Sequence, residues 1–231
     1  MTLKAACKRP SIGIKPLLKL KLSWYPTRIP KWIDRLFPSA LFRINSRRKE
    51  IYLTFDDGPN ETLTDFILTT LEKHQAKATF FCVGENLTRF PSLTQRIKTE
   101  GHVVANHSYH HLNGWNTAAK RYTEDIEKTN SILQATEIKP LFRPPYGKIS
   151  LKQYQQLKSK YTIVFWSVLA GDFDPQLSDA QLLTRLQQYT APGEIIVLHD
   201  NPKFDEMVRS VLPNYLQWAS EQGYTFKSIS C

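Results

Sequence analysis

The residues best suited to chemistry in this 231-residue chain are two histidines four positions apart, His107 and His111, and two adjacent aspartates, Asp56 and Asp57. A single helical turn or a tight loop presents such a histidine pair in one direction. Each neutral imidazole can then give a nitrogen to a divalent metal. One carboxylate, from Asp56 or Asp57, completes three ligands and leaves positions open for water and substrate, which is the pattern of a catalytic metal site. The other aspartate is left to act as a general base. Alone, each motif has a bland reading: most HxxxH pairs hold no metal, and Asp-Asp-Gly-Pro is good turn chemistry.

Placement separates these readings. From Glu50 onward the sequence alternates apolar, strand-like runs with helical stretches. The runs are Ile51–Phe55, Ala78–Val83, Val103–Asn106, Leu141–Arg143, Thr162–Val168, Glu194–Leu198 and Tyr224–Ile229. Between them the pattern predicts helices over Leu63–His74, Leu87–Glu100, Ala118–Ala135, Ser150–Lys158, Ala180–Tyr189 and Glu206–Glu221. Several runs are apolar throughout, as parallel strands covered on both faces must be. About seven β units separated by helices predict an α/β fold, an open sheet or a closed barrel. Ionisable residues gather where these strands end: Asp56 and Asp57, then His107 and His111, Arg143 with Tyr146, Asp172 with Asp174, and His199 with Asp200. In a parallel sheet or barrel those ends open on one face, where ligands bind. Five strand ends supplying such groups to one face predict an enzyme.

The formal charge is +10, and its location limits what it can mean. Residues 1–50 hold 13 Lys/Arg against 2 Asp/Glu, so the remaining 181 residues are close to neutral. We therefore divide the chain into a basic N-terminal arm, 1–49, and a catalytic domain, 50–231. Five prolines in the arm prevent a long helix, leaving short amphipathic pieces around Lys15–Trp24 and Trp32–Ile44. Its charge is expected to be solvated or packed, with contact to an anionic surface as the alternative; no specific nucleic acid is expected. Cys7, Cys82 and Cys231 form neither a disulfide framework nor a CxxC pair, and Cys82, within an apolar run, is expected to be buried. No signal peptide or membrane-spanning stretch is readable, so cytoplasmic and envelope-associated locations both stay open.

Four motifs, in order, carry a family resemblance. Thr54-Phe55-Asp56-Asp57-Gly58-Pro59, His107-Ser108-Tyr109-His110-His111, Arg143-Pro144-Pro145-Tyr146-Gly147 and Val197-Leu198-His199-Asp200 resemble those of the polysaccharide deacetylases, carbohydrate esterase family 4. The resemblance covers about residues 50–231. It implies a distorted (β/α) barrel of about seven parallel strands surrounded by helices. It also implies metal-dependent removal of acetyl groups from peptidoglycan, chitin-like sugars or acetylated xylan. On this resemblance Asp57, His107 and His111 hold the metal, zinc by default, with cobalt or another divalent ion as alternatives. Asp56 is the general base and Arg143 its partner. The backbone N–H of Tyr146 serves the oxyanion, His199 is the general acid and Asp172 orients it. Ser108 is expected to hold the histidine loop by local hydrogen bonds. Three positions depart from the family pattern. In the segment Trp166–Asp174, where the family has a further motif of two acids followed by tryptophan, Leu169 stands in the first acidic slot and Phe173 in the tryptophan slot, while Asp172 keeps the second acid. Val197 takes the place of a leucine that helps enclose the acetyl methyl.

Two rival readings remain at this level. One is an O-acetyl esterase or other amidohydrolase on the same metal site. The other is a non-catalytic protein whose basic arm binds nucleic acid or an anionic membrane; it predicts salt-dependent binding that survives loss of the metal ligands. Trp115, on a loop just after the histidine motif, is read equally as a sugar-stacking ring or a packing residue.

Overall fold

Parallel pairing organises the whole sheet. The structure, a computed structural model, describes residues 25–134 and 139–230. Its strands are β1 (Ala40–Leu41), β2 (Glu50–Asp56), β3 (Ala78–Cys82), β4 (Val103–Asn106), β5 (Leu141–Phe142), β6 (Thr162–Val164), β7 (Val168–Leu169), β8 (Ile195–His199) and β9 (Thr225–Phe226). The helices are α1 (Ile33–Leu36), α2 (Leu63–Lys73), α3 (Gly84–Arg89), α4 (Pro91–Thr99), α5 (Ala119–Leu133), α6 (Leu151–Leu157), α7 (Asp179–Tyr189) and α8 (Asp205–Glu221). The strand order is β1-β6-β5-β4-β3-β2-β8-β7, with β9 added to β2, and every ladder is parallel.

Alternation along the strands builds two apolar layers. Ile51, Leu53 and Phe55 join Phe80 and Cys82 in a core shared with α2 and α8, while Tyr52 and Phe81 face the other way, with Val164 and Ile195. Thr54 and Asp56 therefore lie on the Tyr52 side, inside the curl of the sheet. Cys82, on the α2 and α8 side, is buried as a free thiol. Ser178 and Ser150 start α7 and α6 with reciprocal capping boxes to Gln181 and Gln153, which satisfies donors that the first helical turn leaves open.

The expected elements occur with two divisions. The run Thr162–Val168 is two strands, not one: β6 pairs with β5, β7 pairs with β8, and these lie at opposite ends of the strand order. One continuous apolar run thus spans the seam of a curled, barrel-like sheet. The stretch Leu87–Glu100 is also two helices, because Pro91 begins the second. Phe90 before it leaves the helical region, at φ −125°, ψ 58°, in keeping with the exclusion of helical backbone before proline.

Residues 25–49, expected within an appended arm, contribute to the sheet. Arg28 bridges antiparallel to Val168 on β7, and β1 pairs with β6. This strap therefore crosses the seam from one sheet edge to the other. The amphipathic piece expected over Trp32–Ile44 is only the four-residue α1, with Pro38 preventing its extension. Lys15–Trp24, Cys7 and Cys231 lie outside the described residues. Among the described residues no helix is long and apolar enough to cross a membrane.

Candidate metal centre and active site

Four β-strands end around one cleft of about 840 Å3, lined by Asp56, Asp57, His107, His111, Tyr146 and His199 among others. Asp56 ends β2 and is in register with His199 at the end of β8. His107 follows β4, whose last residue Asn106 pairs with Phe142, and Arg143 follows Phe142 directly. Parallel pairing at these ends is what brings residues far apart in sequence to one rim.

Consecutive strand residues point to opposite faces, so Asp56 and Asp57 should diverge. Asp57 instead takes φ +80°, a left-handed turn that a non-glycine residue adopts at a cost. This swings its carboxylate back into the cleft. Ser108, His111 and Tyr146 also have positive φ, at 62°, 54° and 60°. Four non-glycine residues in this conformation at one site mark a backbone bent to aim side chains.

One donor atom each from Asp57, His107 and His111 lies within 4.8 Å of the other two. Asp57 Oδ1 is 3.2 Å from His111 Nε2 and 3.7 Å from His107 Nε2. The set fits a divalent cation: two imidazoles and one carboxylate converge, and the His107 Nδ1 meets the Arg143 carbonyl at 2.8 Å, fixing the ring so that Nε2 faces the cluster. Burial holds His107 down to about 4, against the opposing pull of Asp56. It is therefore neutral, the form a metal ligand needs. Burial would raise the Asp57 pKa, but the His111 hydrogen bond and the charges of His199, His107 and His111 hold it well below the usual carboxylate range.

Beside this cluster stand two proton-carrying groups with different settings. Asp56 Oδ1 accepts from Arg143 at 2.6 Å. Arg143 is fully buried and also donates to Thr54 Oγ1 at 2.8 Å and to the Phe165 carbonyl at 2.9 Å. Phe165 lies where the chain leaves β6 for β7, so the guanidinium also fills the barrel seam. Across the cleft His199 meets Asp172 twice, through its ring Nδ1 at 2.9 Å and its backbone N–H at 2.6 Å. Burial lowers the His199 pKa, but the charge and hydrogen bond of Asp172, with Asp57 and Asp56 beyond, overcome it and lift it to about 9. Val197 is fully buried with Leu169 and Tyr25, and Phe173 packs on this group.

Seven of the nine expected site residues line this cleft, and Arg143 and Asp172 stand behind it, bonded to Asp56 and His199. Several supporting residues had no distinct sequence signal. Asn201 donates to Asp57 Oδ2 at 2.9 Å, and Asn86 to the Asp57 carbonyl at 2.8 Å. Asp200, singled out at its strand end but without a role, is buried and accepts from Asn60 Nδ2 at 2.5 Å and Thr64 Oγ1 at 2.6 Å, pinning the turn after Asp57. Asp125, from α5, accepts the N–H groups of Tyr109 and His110 at 2.8 and 3.0 Å, and pairs with the His110 ring. That carboxylate and Asn106 hold the histidine loop; Ser108, expected to do so, has a buried hydroxyl with no partner among the described residues, and bonds only through its backbone, its N–H donating to Asn106 Oδ1 and its carbonyl accepting from the Gly84 N–H. His102 is buried, its Nδ1 accepting from the Ala78 N–H, and Asp174 is buried and accepts from the Tyr25 hydroxyl.

The model of the polysaccharide deacetylase family matches residues 43–164. The chain belongs to that family. Among similar curated proteins, a peptidoglycan-N-acetylglucosamine deacetylase of Bacillus cereus is 36% identical over 183 residues, or 78% of this chain and 64% of that protein. The peptidoglycan-N-acetylmuramic acid deacetylase PdaA of Bacillus subtilis is 32% identical, covering 82% of this chain and 73% of its own. Among solved structures, the Bc1960 peptidoglycan N-acetylglucosamine deacetylase, in complex with a hydroxamate (4-naphthalen-1-yl-N-oxidanyl-benzamide), superposes with a TM-score of 0.78. It shares 31% identity and covers 89% of this chain and 95% of its own. BA3943 of Bacillus anthracis, a pseudoenzyme of the same family, has a TM-score of 0.71 at 25% identity, covering 83% of this chain and 68% of its own. A polysaccharide deacetylase fold therefore does not guarantee catalysis; the residues in the cleft must carry that inference.

Proposed function

We propose that this chain is a metal-dependent hydrolase that removes N-acetyl groups from an amino-sugar polymer or oligomer, peptidoglycan or chitin-like, releasing acetate. The observation that carries the proposal is one cleft holding a three-donor cluster between a carboxylate clamped by arginine and a histidine charged by aspartate. Relatives named for deacetylation of peptidoglycan and of chitooligosaccharides support the substrate class. The proposed catalytic unit is residues 50–231, completed by the strap of residues 25–49.

Asp57, His107 and His111 are the proposed ligands, and zinc is the proposed ion, with cobalt the nearest substitute for such a donor set. When bound, a divalent ion supplies a Lewis acid beside the scissile carbonyl. Asp56 takes the proton of the attacking water: Arg143 holds its Oδ1, leaving Oδ2 on the His107 side, 4.0 Å from Nε2. The Tyr146 backbone N–H stabilises the oxyanion, and Val197 encloses the acetyl methyl. His199, with Nδ1 engaged by Asp172, gives the Nε2 proton to the departing amine, a poor leaving group without it.

Acetate release from chitooligosaccharides, peptidoglycan strands and acetylated xylan, with and without chelator, tests the proposal. We expect release from the first two, abolished by chelation and by Asp56→Ala or His199→Ala in folded protein. Release from acetylated xylan alone would transfer the reading to an O-acetyl esterase. Near-normal turnover by the metal-loaded variants would remove the assigned roles.

A further inference from the structure

Trp115 is the most exposed tryptophan described, at 66%, yet it is held firmly. Its N–H is accepted by Asn113 Oδ1 at 3.0 Å, and its indole Nε1 donates to the Ile149 carbonyl at 3.3 Å. Buried Gln153 donates to the carbonyls of Gly114 and Thr117, both at 2.9 Å. Gly114 lies so close to the Lys148 backbone carbonyl that no side chain fits there. These contacts fix the ring while most of it stays in water.

This ring continues the active-site rim. The Lys148 ammonium lies 5.2 Å from the Trp115 ring centroid and 5.8 Å from that of Tyr146. Tyr146 in turn stands edge-on to His111, with ring centroids 4.5 Å apart. Lys148 and, on the α8 side of the cleft, Lys203 both line the site, and neither ammonium has an acidic partner among the described residues. An aromatic face suits the C–H face of a pyranose, and the Lys148 ammonium over one side of the ring holds a positive charge within reach of a sugar on the other.

We propose that Trp115 and Lys148 form a subsite for a carboxylate-bearing sugar adjoining the one that is deacetylated. The subsite rests on the deacetylase reading above and adds what that reading leaves open: the neighbouring unit is acidic. Trp115 carries the ring and Lys148 the carboxylate.

The test uses the full chain and two probes: glycan strands of alternating N-acetylglucosamine and N-acetylmuramic acid with free lactyl carboxylates, and the same strands with those groups methyl-amidated. Binding is measured calorimetrically in chelator, so that turnover does not enter. The acidic strand is expected to bind about fivefold more tightly, the upper end of what an exposed ion pair supplies. Lys148→Gln should largely close that gap, as should raised salt, and Trp115→Ala should weaken both strands. Equal binding of the two strands by the wild-type chain, or a gap that Lys148→Gln leaves intact, overturns the subsite. Acetate release by the metal-loaded wild-type chain is read separately. Release without a charge preference removes the subsite alone; a Lys148-dependent preference without release keeps the subsite and removes the deacetylase reading.

Discussion

Arg143 is where stability and chemistry meet, and Arg143→Met is the most informative single change. Methionine keeps most of the stem volume and removes the guanidinium. The Asp56 carboxylate, whose side chain is only 5% exposed, then loses its cation, and the Phe165 carbonyl and Thr54 hydroxyl lose a donor. Two unit charges about 4 Å apart interact by about 4 kcal/mol at an effective dielectric near 20. Removing one partner of a buried pair costs about 3–5 kcal/mol, because the other charge stays buried. We take about 3–5 kcal/mol, which at about 2–4 °C per kcal/mol for a chain of this size lowers Tm by roughly 6–20 °C. Urea unfolding at pH 7 in chelator, followed by circular dichroism with the m-value monitored, measures it. Asp56→Asn in the Arg143→Met background removes the stranded charge, so the double variant should lose about 2–3 kcal/mol less than the sum of the singles. A single-variant cost below about 1 kcal/mol, or additive energies within about 0.5 kcal/mol, would refute the buried-pair account.

Three further outcomes follow from named contacts. His199 sits at about 9 chiefly because Asp172 outweighs burial, so kcat/KM should fall as pH rises through the His199 pKa, and Asp172→Asn should move that alkaline limb to lower pH; an unmoved limb removes Asp172 from the role. His102 is lowered to about 4, from 6.5, first by burial and then by the charge of Lys77. The unfolded chain therefore binds the extra proton first, so stability should fall as pH drops from about 6.5 towards 4, and His102→Gln should lose less than wild type over that window in urea titrations. Asp125→Ala frees two N–H groups between His107 and His111 and should weaken zinc binding about 10–100-fold in competition with a chromophoric chelator, as loss of a ligand-orienting partner does; unchanged affinity would assign the loop's shape elsewhere.

The candidate site was legible because its chemistry sits at element ends. His107 and His111 share a spacing, Asp56 and Asp57 follow an apolar run, and Arg143, Asp172 and His199 follow others, so strand ends alone place them on one face. Asn201, Asn86 and Asp125 were not legible as a group. Each acts on a backbone group or carboxylate remote in sequence, and an amide or carboxylate at a loop or helix position reads equally as a solvated residue. The histidine loop shows the same limit: a serine between two ligands invites a local bond, but the tertiary donors and acceptors come from Asn106 and Asp125.

The apolar periodicity, the alternation of strands with helices and the ionisable residues at strand ends were enough to determine an α/β sheet with one functional rim, because they reflect local backbone geometry and burial. Only the tertiary structure decided how the sheet closes. Thr162–Val168 reads as one strand, but its halves belong to β6, beside β5, and β7, beside β8, towards opposite ends of the strand order, and the strap of residues 25–49 crosses between them. Pairing partners depend on where other strands lie, and no periodicity within the run encodes that. The direction of Asp57 was decided in the same way: alternation sends it away from Asp56, and the turn at φ +80°, held by Asn86 and Asn201, brings it back to the histidines.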